Sequence, residues 1–136
     1  MPGIVLDSFE LIAYFEGESA AIPVRDLLEA AATRNTPLHM TEVNYAEVRY
    51  TLIRKSGLAV WRNSAETLAG LPIEFHPADR LMADAAADLK ARYKISLADA
   101  FAAALAMELR AELVTGDVEF KALEKEMGIV WLSVES

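Results

Sequence analysis

From Ala100 to Met107, within the stretch ISLADAFAAALAMEL, every side chain is apolar. A helix over these residues has no polar face, so it is built for burial inside a layered fold rather than for a surface. At its mouth stands Asp99, in a place where solvation does not explain it. Burying an unpaired carboxylate costs several kcal/mol or forces the group to take up a proton.

The rest of the chain alternates short apolar runs with helical periods. GIVLD (3–7), PLHMT (37–41), PIEFH (72–76), AELVTGD (111–117) and GIVWLSV (128–134) read as strands. Between them SFELIAYFEGE, AAIPVRDLLEAAATRN, EVNYAEVRYTLIRKSG, LAVWRNSAETLAG, ADRLMADAAADLKARY and VEFKALEKEM read as helices. Gly17, Asn35, Gly57 and Gly70 are their expected stops. Near-continuous apolar strands alternating with helices predict a parallel sheet covered on both faces. The expected fold is therefore α/β, a three-layer α/β/α sandwich on five parallel strands, with strand order left open. No repeat or linker divides the 136 residues, so one domain over 1–136 is expected.

Composition narrows the setting. The apolar run in the central helix falls far short of the roughly 20 residues that cross a bilayer, and MPGIVLDSF lacks the pattern of a secretory leader. With no cysteine, disulfides, thiolate catalysis and cysteine-ligated zinc are excluded. A cytoplasmic protein without a membrane segment is the expectation. The net charge of −8 argues against a nonspecific nucleic-acid coat protein. Any nucleic-acid contact must be local, bridged by metal ions or made in a dimer groove.

Four acids fall where such a fold would gather them. Asp7 ends the first strand, Glu47 lies early in the helix after the second, Asp99 opens the apolar helix, and Asp117 ends the fourth strand. Open α/β sheets bind ligands beyond the carboxyl ends of their strands, and all four acids are expected there. Crowded carboxylates raise one another's pKa unless a cation is present. Their oxygens suit Mg²⁺ or Mn²⁺, which assist phosphodiester hydrolysis. Capping is the competing reading: Asp7 with Glu10, Ser96 with Asp99, and Asp117 ahead of the next helix all resemble helix caps. Ser8 and Thr115 offer hydroxyls that hold a water or orient a carboxylate. His39 and His76 fall in strand patterns, as core or strand-end residues.

IVLDSFELIAYFEGE, TEVNYAEVRYTL, SLADAFAAALAMEL and LVTGDVEF resemble, in order and spacing, the motifs of PIN-domain proteins, above all the small VapC-like toxin ribonucleases of toxin–antitoxin pairs. The resemblance runs from Ile4 to Trp131. It implies a Rossmann-like fold, dependence on Mg²⁺ or Mn²⁺, cleavage of single-stranded RNA, homodimerisation and inhibition by a cognate antitoxin. It puts the catalytic site on Asp7, Glu47, Asp99 and Asp117, with Asp7 and Asp99 as direct metal ligands. Glu47 and Asp117 complete the site or bind through water, and Thr115 matches the family's hydroxyl before the last acid. Gly116 departs from the larger residue often found there. Candidate RNA contacts are Arg49, Arg54, Lys55 and Arg62. Tyr14, Phe15, Tyr45, Tyr50 and Trp61 are candidates for dimer or antitoxin contacts, or for core packing.

A housekeeping PIN ribonuclease of RNA processing or decay is an alternative, which a neighbouring antitoxin reading frame would distinguish. A non-catalytic α/β binding module is another, disfavoured by the four acids. A phospho-receiver domain needs a lysine near the last strand, and GIVWLSVES has none. An aspartyl phosphatase would show D-x-D where this chain has D-S-F.

Overall fold

The computed structural model describes residues 3–132. Five short strands, β1 (Ile4–Leu6), β2 (Leu38–Thr41), β3 (Ile73–His76), β4 (Glu112–Thr115) and β5 (Ile129–Trp131), form one sheet in the order β3-β2-β1-β4-β5. Every pairing is parallel. The chain builds outward from β1 to β3, then crosses back to place β4 on the other side of β1. The crevice between β1 and β4 is thus the switch point at which open sheets bind ligands. Ser133 and Val134, the end of the expected last strand, lie outside the described residues.

Six α-helices cover the sheet: α1 (Ser8–Glu16), α2 (Ala21–Arg34), α3 (Glu42–Ser56), α4 (Leu58–Ala69), α5 (Arg80–Arg92) and α6 (Leu97–Leu109). Side chains alternate across the strands. Val5 and Leu113 face a core shared with α5 and α6, whereas Leu6, Met40 and Val114 face one shared with α1 to α4. The expected three-layer sandwich is what forms. Among the described residues no helix is long and apolar enough to cross a membrane.

The apolar helix α6 is buried from Asp99 to Ala106. It lies over β1, β2 and β4 and is clasped by α3 and α5. Its alanines let it approach so closely: Ala100, Ala102, Ala103 and Ala106 are all at 0% exposure.

The helix stops at Gly17 (φ 68°) and Asn35 (φ 54°) lie in the left-handed region, which glycine enters freely and asparagine tolerates. Arg110 (φ 52°) ends α6 in the same conformation with no glycine to announce it. One element differs from expectation. VEFKALEKEM forms only a 3-10 helix over Val118–Leu123. Its two buried residues, Phe120 and Leu123, are three apart, which matches the three-residue turn of that helix.

Because Ala103 is fully buried between α6 and its neighbours, Ala103→Leu is expected to lower the unfolding free energy by about 1–3 kcal/mol through overpacking. Urea denaturation followed by circular dichroism measures it; unchanged stability would mean that α6 is not close-packed.

Candidate metal centre

At the carboxyl edge of the sheet, beside the β1/β4 crevice, lies a cleft of about 270 Å³ lined by Asp7, Ser8, Glu47, Asp99 and Asp117, among others. The carboxylates of Asp7, Asp99 and Asp117 each offer an oxygen, and these atoms lie within 4.8 Å of one another. Asp7 and Asp99 are buried, at 1% and 5% exposure.

Asp7 leaves β1 and is the N-cap of α1; its backbone N–H donates to Glu10 Oε1 at 3.2 Å. Thr115, at the end of β4, donates its hydroxyl to Asp7 Oδ2 at 2.8 Å and accepts the Asp117 N–H at 2.9 Å. One threonine therefore fixes two of the three acids. At α6 the cap is Ser96, whose hydroxyl accepts the Asp99 N–H at 3.1 Å. Capping thus uses the backbone of Asp99 and leaves its carboxylate free. Asp117 does cap, accepting the Glu119 N–H at 3.0 Å through Oδ1, and that engages one of its two oxygens. Glu47 stands beside the trio rather than within it. It is half-buried on α3 and accepts the hydroxyl of Ser8.

Two buried oxygens decide what this arrangement can do. Asp7 Oδ1 and Asp99 Oδ2 find no hydrogen-bond partner among the described residues. Buried polar atoms are almost always satisfied, and exceptions call for a missing ion or water. Burial is the first cause that pushes Asp7 up to about 6, with Thr115 and Glu10 opposing and Asp117 and Glu47 adding to the rise. Burial again, then the charges of Asp117, Asp7 and Glu119, pushes Asp99 up to about 8. A hard divalent cation relieves both the desolvation and the repulsion, and carboxylate oxygens are its preferred donors.

Two contributors were not singled out from the sequence. Glu10 is fully buried beneath Asp7, and its pKa is raised by burial and by the Asp7 charge. Only its capping pattern was legible. Asn44, also fully buried, donates through Nδ2 to the Ala98 carbonyl at 3.2 Å and so ties α3 to the start of α6. The basic residues Arg49, Arg54, Lys55 and Arg62 are all exposed on α3 and α4, and none lines the cleft. Trp61 lies in the core with Tyr45 edge-to-face on it, and Tyr45, Tyr14 and Phe15 pack partly buried against that core. Tyr50 is the exposed one, at 47%.

A family model for the PIN domain matches residues 4–126. The chain belongs to the PIN domain family. No curated protein matches it by sequence. Among solved structures this PIN domain is similar to VapBC2 from Rickettsia felis bound to a promoter DNA fragment, at 15% identity and a TM-score of 0.77, covering 96% of this chain and 98% of that one. DNA-bound VapBC from Salmonella typhimurium is similar at 15% identity and a TM-score of 0.76, covering 98% and 100%. VapC20 from Mycobacterium tuberculosis, described as a sarcin–ricin loop cleaving toxin, is similar at 15% identity and a TM-score of 0.73, covering 88% and 94%.

The raised acids set the pH dependence of folding. Between the ordinary value of 3.8 and the folded values of about 6 and about 8, the native state of this PIN domain holds protons that the unfolded chain has released. Stability without divalent ions is therefore expected to fall as pH rises from about 4 to about 8. Added Mg²⁺ or Mn²⁺ should recover most of the loss at the upper end. Urea midpoints across that range, with EDTA and with Mg²⁺, measure both effects. A midpoint that climbs with pH in EDTA would contradict the burial of ionised Asp7 and Asp99.

Proposed function

We propose that this PIN domain is a divalent-metal-dependent endoribonuclease that cleaves single-stranded RNA in the cytoplasm as the toxin of a toxin–antitoxin pair. The observation that carries the proposal is the pair of unpartnered buried oxygens on Asp7 and Asp99, with Asp117 completing the trio. In this reading Asp7, Asp99 and Asp117 hold the ion, as Mg²⁺ or Mn²⁺. When bound, the ion supplies Lewis acidity toward a phosphate oxygen and neutralises the acids. Thr115 keeps Asp7 and Asp117 in register for it. Glu47, held by Ser8 at the side of the same cleft, accepts the proton of the attacking water through its carboxylate.

The RNA flanking the scissile bond meets the protein outside the cleft. Arg49, Arg54, Lys55 and Arg62 form no ion pair with an acid among the described residues, although the chain carries a net −8. The Arg49 guanidinium lies over Trp61, 5.6 Å from the ring centroid, and Arg54 lies over Tyr50 at 5.2 Å. Stacking fixes these positive charges without neutralising them, which leaves them for phosphates flanking the scissile bond. The fold is shared with VapBC complexes and with a toxin described as cleaving the sarcin–ricin loop, and this supports the toxin reading and a protein antitoxin as partner. Leu58 and Val60, exposed at 47% and 41% on α4, supply apolar surface for a homodimer or for that antitoxin.

Purified protein is expected to cleave single-stranded RNA with Mg²⁺ or Mn²⁺ and to stop with EDTA. Asp7→Asn and Asp99→Asn should each reduce the rate at least about 100-fold, because several kcal/mol of charge stabilisation goes with the ion. Circular dichroism should show the fold intact. Cleavage that survives both substitutions sinks the proposal.

A further inference from the structure

A second group of side chains of metal-ligating type lies away from the acidic cleft, at the β3 edge of the sheet, where Glu74 is exposed and the two histidines are partly buried. Parallel pairing of β2 with β3 sets His39 opposite Glu74 and Thr41 opposite His76. Glu74 and His76, two residues apart, share one face of the edge strand β3. Val5, opposite His39 on the other side of β2, belongs to the α5/α6 core, so the three side chains stand on that face. Helix α6 lies over β1, β2 and β4, and the face next to β3 remains accessible. His39 and His76 are accordingly only partly buried, at 18% and 21% exposure, and Glu74 is exposed at 57%.

The geometry is specific. His39 Nδ1 and His76 Nε2 face each other at 2.9 Å. The rings are tilted by 53°, so their nitrogens meet rather than their faces. Glu74 reaches both with different oxygens, Oε2 lying 4.0 Å from His39 Nδ1 and Oε1 lying 4.0 Å from His76 Nε2. One donor atom from each residue falls within 4.8 Å of the other two. Two imidazole nitrogens on a tetrahedral zinc, each at 2.0–2.1 Å, stand about 3.3 Å apart, so the pair must give up its hydrogen bond, open by a few tenths of an ångström and turn both nitrogens toward a shared ion while Glu74 closes in. The exposed flank leaves a fourth position to water.

We infer that His39, Glu74 and His76 form a binding site for a divalent transition-metal ion, Zn²⁺ or one of its neighbours, which ties the edge strand β3 to β2. Two imidazoles with one carboxylate favour such ions over Mg²⁺, which takes oxygen donors. The site therefore discriminates against the ion expected at the acidic cleft, and it is independent of the nuclease reading.

The test is a calorimetric Zn²⁺ titration of protein purified without a histidine tag, in excess Mg²⁺ to satisfy the acidic cleft. Wild type and Asp99→Asn are expected to bind one equivalent. His76→Gln and Glu74→Gln should weaken binding at least about tenfold, as expected for loss of a ligand. Zn²⁺ should raise the Tm of wild type but not of these two variants. If His76→Gln does not fold, Glu74→Gln, at an exposed position, decides by the same measurement. Equal Zn²⁺ affinity in wild type and in the folded ligand variants would put the ion elsewhere. No binding by wild type would reduce the pair to a plain imidazole–imidazole hydrogen bond. Either result overturns the inference.

Discussion

Three carboxylates from three separate segments share one small volume at the end of the sheet, and much of the local structure exists to hold them there. In water such a cluster would spread apart. Here Asp7 is anchored by Thr115, Asp99 by the Ser96 cap beneath its backbone, and Asp117 by both Thr115 and its own cap on Glu119. The cost of that confinement appears as raised proton affinity: Asp7 goes up to about 6 and Asp99 up to about 8. A fold optimised for stability alone would not crowd carboxylates this way. Stored repulsion of this kind is found at functional sites.

The scaffold that imposes it is apolar and short-ranged. Helix α6 sits against β1, β2 and β4 because alanines line its contact faces, and that approach carries Asp99 to the β1/β4 crevice. Asn44 then links the start of α3 to the start of α6, so Glu47 is referenced to Asp99 through one buried amide. At Gly116 there is no side chain, and the Phe9 ring occupies the space: a Cβ there would stand 2.6 Å from the ring. A larger residue at this position would therefore displace Phe9, which lines the cleft. Phe9 from α1 thus shares the cleft wall with Asp117 from the loop after β4.

Much of this was legible in the sequence because it is written in local patterns. Alternating strand and helix periods fix a parallel sheet with helices on both faces, and the parallel sheet sends every strand end to one edge. The acids at those ends could be collected without knowing strand order. What was not legible depends on register or on packing between distant segments. The 3-10 helix at Val118–Leu123 looked like an ordinary helix, since its apolar spacing only acquires meaning once Phe120 and Leu123 are buried. Arg110 in the left-handed region carries no signal of its own. Glu10 showed its capping pattern, but its complete burial follows from the way α1 lies on the sheet. His39 and His76 each read as a strand residue, and nothing short of the β2–β3 register brings their nitrogens together.

Electrostatics also orders events in the proposed nuclease. An RNA phosphate approaching the cleft meets Asp7, Glu47, Asp99 and Asp117, and at neutral pH these repel it unless their charge is compensated. Protons on Asp99 compensate part of that charge but offer the phosphate no positive centre. On the proposed reading Arg49, Arg54, Lys55 and Arg62 on α3 and α4 would attract the polyanion to the neighbouring surface, yet they do not line the cleft. On that reading, binding of the strand and entry of its scissile phosphate would be separable: the first would rest on the arginines and the lysine, and the second on Asp7, Asp99 and Asp117 holding a cation that would compensate their charge. Such a division would keep a protein with a net charge of −8 from coating itself in RNA while leaving one position for a phosphate.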